Sequence, residues 1–368
     1  MKFSCSKENL EKYITIAERF SGKNLTLPIL SNIMIETIGD EIRLISTNLE
    51  QAIQIKINGK IAKEGKICIP AKTINSLIQS LKDDKLDLEE KQNSLILKTI
   101  SKEARLNGLV SDDFPLIPSI KRNLTFSIDA QKLKKGFEKV IPATAVSDFK
   151  PEFTGIYFNL NSLGELKLVA TDTFRLAEEI INLNDKNITN DISFIIPQII
   201  GRELSRIIDN ESDIKISLGD NQIIFETEKI QIISRLIDGN FPEYSGIIPK
   251  NFENSALINK NEFRDTVKAA SIFSSRLSDI VLEFQEKGIK INTLNQDLGE
   301  YKTIIPAKIS EGNKEIKLSF NYHYLLDGLN SLNEEEIFIG CNTENSPSLF
   351  RNKSDKSFTY VLMPIKLN

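Results

Sequence analysis

The stretch QKLKKGFEKV at residues 131–140 places Leu133, Phe137 and Val140 at offsets of 0, 4 and 7, which is the apolar stripe of an amphipathic helix. The same offsets recur in ENLEKYITIA at 8–17 as Leu10, Ile14 and Ala17, and in NEFRDTVKAA at 261–270 as Phe263, Val267 and Ala270. A second stripe of equal spacing falls at Ile74, Ile78 and Leu81, at Ile200, Leu204 and Ile207, and at Leu325, Leu329 and Leu332. Corresponding positions lie roughly 123 to 130 residues apart, the size of a domain rather than of a solenoid repeat. The chain therefore predicts three similar domains with two helices in each.

Between these helices the pattern changes to a period of two. Ile53, Ile55 and Ile57 alternate with polar residues, as do Leu86 and Leu88, Ile214 and Ile216, and Ile337 and Ile339, marking strands with one buried face. Turn-prone pieces follow several of them: EEKQNS at 89–94, GDNQ at 219–222 and CNTENSPS at 341–348. Two helices with apolar stripes need a sheet to cover them, so each domain is expected to be α+β, a pair of helices packed on antiparallel sheet. The first two thirds end alike, in DFPLIP at 113–118 and DGNFPEYSGIIP at 238–249, where Phe-Pro directs the chain into an extended connection. The expected domains are 1–123, 124–251 and 252–368.

Composition narrows the function. With 40% hydrophobic and 27% charged residues, the chain has the balance of a soluble globular protein. The opening MKFSCSKENL lacks a signal-peptide core and no run approaches a membrane span, so a cytoplasmic protein is expected. Cys5, Cys68 and Cys341 are odd in number and widely spaced, which indicates neither a disulfide framework nor a zinc site. The only histidine, His323, lies between Tyr322 and Tyr324 in a predicted helix, a packing position. The acidic pairs Asp83-Asp84 and Asp112-Asp113 fall at turns. There is no phosphate loop, no nucleophile elbow and no metal-spaced cluster, so neither catalytic residues nor a cofactor or metal is expected.

A net charge of −4 would ordinarily argue against a nucleic-acid partner, but its distribution matters more than its total. The six helical segments together carry +7, which leaves −11 for the rest of the chain. Helices and remainder have opposite sign. Three domains alone cannot close a ring wide enough for duplex DNA, whereas two copies with six domains and twelve helices can. Inward-facing helices would then give a basic lining to an acidic protein.

At this point the residues resemble the bacterial DNA polymerase III beta-subunit family, the sliding clamps, over essentially the full length. The matching pieces are TLPILSNIMIE at 26–36, ATDTFRLA at 170–177, SRLIDGNFPEYSGIIP at 234–249 and YVLMPIKL at 360–367. The resemblance implies the DNA-clamp fold and a head-to-tail homodimeric ring. Such a ring encircles duplex DNA without sequence preference and tethers the replicative polymerase alpha subunit, conferring processivity, with no catalytic activity. It further implies an ATP-dependent clamp loader, and repair polymerases and ligase that dock through short peptide motifs.

Carried over residue by residue, the implied peptide pocket comprises Phe153, Thr171, Thr173, Phe174, Arg175, Leu176, Pro242, Ile247, Val361, Met363, Pro364 and Ile365, with Asn321 and Tyr324 as neighbours. Apolar residues with a few polar groups suit a short peptide that bears leucine and an aromatic anchor. The family commonly reads Ala-Thr-Asp-Gly-His-Arg-Leu-Ala where this chain has Thr173 and Phe174, so a bulkier and less polar wall is expected here.

The expected DNA-facing residues are Lys23, Lys72, Lys132, Lys135, Lys139, Arg202, Arg206, Arg264 and Lys268. Lys132, Lys135 and Lys139 are expected on one face of a helix, opposite its apolar stripe, where they would meet phosphates without reading bases. The family's loop arginine and aromatic DNA contacts are replaced by Lys23-Asn24 and Pro151-Glu152, so only the cationic loop survives, through Lys23. The implied ring contact sets Leu77, Leu81 and Leu106 against Ile272 and Phe273 of another copy. Two other readings of the residues stay open: a non-enzymatic three-domain protein-binding scaffold that does not encircle DNA, and a hydrolase or transferase with an unrecognised carboxylate site.

Overall fold

The computed structural model describes residues 1–22, 27–115, 117, 121–147, 149–183, 190–310 and 315–366. Lys23 lies outside them. Among the described residues six α-helices form where the stripes predict them: α1 (Lys7–Arg19), α2 (Ala71–Ser80), α3 (Ala130–Val140), α4 (Gln198–Ile207), α5 (Lys260–Ser271) and α6 (Tyr322–Ser331). The stripe residues Leu10, Ile14, Ala17, Leu133, Phe137, Val140, Phe263, Val267 and Ala270 are all buried. Side-chain caps start several of these helices, as the unpaired amides of a first turn require. Ser6 accepts the Asn9 amide at 3.3 Å, Asn259 that of Glu262 at 3.0 Å and Asn321 that of His323 at 2.9 Å.

Each third of the chain repeats one order: a strand, a helix, a run of strands, a second helix and three closing strands. The second and third copies have four strands in the run; the first carries an extra short strand, Lys60–Lys63. The architecture is α+β with every paired strand antiparallel among the described residues.

By contact density the chain forms two compact units that cut across these thirds: Met1–Asp129 with Asn210–Leu236, and Ala130–Asp209 with Ile237–Asn368. The reason lies in two strand pairings. In the first unit, Ile230–Arg235 pairs with Gln51–Ile57, setting Ile230 opposite Ile55 and Ile232 opposite Ile53, within an eight-stranded sheet. In the second unit, Arg175–Asn182 pairs with Phe358–Leu362, setting Leu176 opposite Val361 and Ala177 opposite Tyr360, within a twelve-stranded sheet. Both pairings join strands from neighbouring thirds. The first unit also holds a five-stranded sheet that ends in Glu103–Asn107, with α1 against α2 and Thr15 donating to Asn75 at 2.9 Å.

The strand Arg175–Asn182 also seats α3, and here an expectation is corrected. Lys139 is not on an exposed face with Lys132 and Lys135. It is only 6% exposed, its Nζ donates to both carboxylate oxygens of Glu179 at 2.7 and 2.9 Å, and it lies 5.2 Å from the Phe358 ring centroid. Its place one turn beyond Lys135 rotates it towards the sheet, where Glu179 neutralises it. Burial raises the Glu179 carboxyl above the usual range, and the ammonium opposes that shift. Removing one partner leaves a buried charge alone. Lys139→Met is therefore expected to destabilise the second unit by about 3 kcal/mol or more, and Lys139→Met with Glu179→Leu to recover most of the loss. Paired thermal melts check this: a double variant no more stable than the single one would contradict the assignment.

Candidate peptide cleft and cationic helix faces

Strands Glu165–Thr171 and Arg175–Asn182 are joined by a hairpin whose polar groups close on themselves. Thr171 Oγ1 donates to the Arg175 carbonyl at 2.7 Å and accepts the Thr173 amide at 3.2 Å. Asp172 Oδ1 accepts the amides of Phe174 and Arg175, each at 3.0 Å, and its Oδ2 accepts Arg175 Nε at 2.9 Å. Arg175 then reaches α6, donating to Asp327 Oδ2 at 2.5 Å and lying 4.1 Å over the Tyr324 ring. The guanidinium is thus held by two carboxylates and an aromatic face, and it positions the hairpin against α6.

Beneath the hairpin, Val169, Leu176, Tyr244 and Val361 form a buried apolar floor, with Tyr157, Phe241 and Ile248 half-buried against it. Tyr157 and Phe241 stack at 4.6 Å and 5°, while Tyr244 meets both edge-on at 6.4 and 6.1 Å. Phe153, buried, meets Phe241 edge-on at 6.2 Å. The Tyr244 hydroxyl donates to Glu178 Oε2 at 2.6 Å. Burial, reinforced by that carboxylate, pushes the phenol well above its ordinary value. Pro242 and Ile247, by contrast, are exposed. Tyr157, Phe241 and Tyr244 are absent from the sequence-derived set. The two in FPEY were legible there, as an aromatic pair flanking a helix-breaking proline in an otherwise polar connection.

The chain end supplies another wall. After strand Phe358–Leu362, the Met363 amide donates to the Phe174 carbonyl at 2.8 Å and the Ile365 amide to the Ser319 carbonyl at 2.7 Å. Met363, Pro364 and Ile365 are half-buried along this span. Beside it lies a polar recess of about 240 Å³, lined by Lys317, Ser319, Glu344, Asn345, Ile365 and Lys366. Asn321 is occupied with capping α6, and the Tyr324 carbonyl accepts the Tyr360 hydroxyl at 2.8 Å. The expected pocket residues thus all fall in the second unit, on Pro151–Phe153, the hairpin, segment 242–247, the start of α6 and the chain end.

The cations fall elsewhere. Lys72 is exposed in the first turn of α2, Lys132 and Lys135 on α3, Arg202 and Arg206 on α4, and Lys268 on α5. Arg206 pairs with Glu203 at 3.0 Å, and half-buried Arg264 with Asp265 at 3.1 Å. A groove of about 500 Å³ between α3 and α4 is lined by Lys134, Glu138, Arg202 and Arg206 among others. Of the expected ring-contact residues, Leu81 and Leu106 are buried within their own unit and offer little surface. Leu77 and Phe273 are half-buried, the latter stacked on Tyr301 at 6.3 Å, and Ile272 is 66% exposed. Leu277, Leu294, Leu298 and Ile304, missed in the sequence, are exposed too. Among the described residues, strand Gly299–Ile309 is paired along 299–306 only with Gly288–Asn295, so it and Glu103–Asn107 present open edges.

Among the described residues no helix is long and apolar enough to cross a membrane, and no group of three or more His, Cys, Asp or Glu is placed to hold a metal ion.

Comparison with known proteins supplies a family. The models for the N-terminal, central and C-terminal domains of the DNA polymerase III beta subunit match residues 1–118, 127–243 and 245–366. The beta sliding clamp of Streptococcus pneumoniae is 28% identical, over 100% of this chain and 99% of its own. The sliding clamp of Pseudomonas aeruginosa, solved bound to griselimycin, superposes with a TM-score of 0.94 at 26% identity, covering 100% of both chains. The Thermotoga maritima beta subunit, at 24% identity and a TM-score of 0.93, covers both chains equally and shows the same fold.

Because the hairpin's hydrogen bonds converge on Asp172, Asp172→Ala is expected to loosen it by about 1–3 kcal/mol. Hydrogen exchange should then quicken at the Phe174 and Arg175 amides while α1 and α2 stay protected. Unchanged exchange at those two amides would contradict this geometry.

Proposed function

The chain belongs to the DNA polymerase III beta-subunit family, and on that premise we propose that it acts as a sliding clamp, a replication processivity factor that encircles duplex DNA as a homodimeric ring and tethers the replicative polymerase. What carries this reading is the threefold repetition of one strand–helix–strands–helix–strands order through a chain that its clamp relatives match from end to end. Division into three domains, 1–123, 124–251 and 252–368, takes support from three separate domain models, the last of which begins at residue 245, ahead of the boundary at 252.

The DNA-facing groups are Lys72, Lys132, Lys135, Arg202, Arg206, Arg264 and Lys268, with Lys23 outside the described residues. Lys139 drops out. Their role is to meet phosphates, so binding is blind to sequence and weakens steeply with salt. A ring held on by topology needs only such weak contacts, and partial neutralisation of Arg206 and Arg264 by Glu203 and Asp265 suits sliding. The cleft around the hairpin takes short peptide motifs of the polymerase alpha subunit, the ATP-driven clamp loader, repair polymerases and ligase. The copies meet through the open edges of Glu103–Asn107 and Gly299–Ile309 and the exposed apolar residues about Ile272, with Leu81 and Leu106 as support behind them. The protein is cytoplasmic and carries out no catalytic step of its own.

Two variants test the separation of these surfaces. Lys132→Glu with Lys135→Glu should weaken DNA retention and lower the log–log salt slope by about 2, leaving peptide docking intact. Deleting residues 363–368 should abolish peptide docking and leave DNA retention. Equal damage to both functions by both changes would show the sites to be wrongly divided. Ile272→Asp should yield a monomer by sedimentation, and a dimer of undiminished strength would exclude that contact.

A further inference from the structure

The hairpin at the cleft holds one residue against its own preference. Thr173 sits at φ +77°, a left-handed conformation that a β-branched side chain adopts only at a steric cost. The hydrogen bonds from Thr171 and Asp172 described above over-determine it. The outcome of that strain is the placement of Phe174. Its amide is fixed by Asp172 and its carbonyl by Met363, yet the residue is 60% exposed. A large apolar side chain left in water on a rigid backbone gains nothing from the fold. The polar side chains around it contribute little to a ligand either, since Thr171, Asp172 and Arg175 direct their polar atoms into the chain. What this turn offers a bound peptide is therefore a phenyl face, on a residue whose backbone carbonyl is tied to half-buried Met363.

We propose that Phe174, held out by Thr173, is the specificity-determining residue of the cleft: it provides an apolar wall that selects docking peptides with an apolar rather than a polar side chain at the position that meets it. The proposal rests on the peptide-docking reading of the cleft. Leucine and asparagine share the same branched heavy-atom skeleton, so a preference between them reports chiefly apolar against polar contact. A chain with an imidazole at position 174 would hydrogen-bond the polar peptide instead, and the preference would vanish.

The test uses the full-length protein and fluorescein-labelled pentapeptides ending in Leu-Phe, with each of the three preceding positions set in turn to Leu or Asn. Fluorescence anisotropy gives the affinities. At one of the three positions the Leu peptide should bind about fivefold or more tightly than the Asn peptide. Phe174→His should bring that ratio close to one, and Phe174→Leu should keep most of it. A residue with a merely structural role would change the affinity for all peptides together and leave the ratio unmoved. A wild-type ratio near one at every position, or a ratio that survives Phe174→His, overturns the proposal while leaving peptide docking in place. Failure of every peptide to bind the folded protein overturns the docking reading with it.

Discussion

The pairing of strand Arg175–Asn182 with strand Phe358–Leu362 is the constraint from which the second unit is built. It joins segments about half the chain apart in sequence and makes one sheet of strands from two repeats. On one side of it, Leu176 and Val361 pack in a buried apolar cluster with Tyr244, whose hydroxyl is taken by Glu178. The next residue, Glu179, holds Lys139 and so seats α3. Close packing on α6 depends on it too: a side chain at Gly328 would meet the Tyr360 ring at 2.5 Å, and only glycine allows that approach. Adjacent residues of a single strand thus serve the cleft and the cationic helix, by the alternation of faces that a strand imposes.

Much of the fold was legible beforehand. The 0, 4, 7 stripes located all six helices, because a helix that must cover a sheet records its buried face in sequence. The alternation at Ile53, Ile55 and Ile57 located a strand but not its partner. Nothing local marks Ile230–Arg235 as that partner, since strand pairing across a long separation is settled by register and packing rather than by pattern. For the same reason contact density yields two units where the repeats suggest three domains.

The site was legible in part. Resemblance pointed to residues that the fold does gather in one unit, yet their roles differ from what side-chain type suggests. Arg175 looks like a ligand group and is instead engaged with Asp172, Asp327 and Tyr324. Lys139 looks like a phosphate contact and is buried with Glu179, one helical turn from the exposed Lys135. Charge type is visible in a sequence, whereas burial and pairing are properties of the packed chain. The opposite signs of helices and remainder survive the loss of Lys139 from the cationic face, because that segregation is spread over several helices.

Action as a clamp requires two copies to close around an opening wide enough for duplex DNA. Small-angle X-ray scattering of the purified protein tests it most directly, since it reports mass and shape together. A clamp gives a mass twice that of one chain and a pair-distance distribution that requires a central hole. A monomer at micromolar concentration, or a compact dimer without a hole, would contradict it.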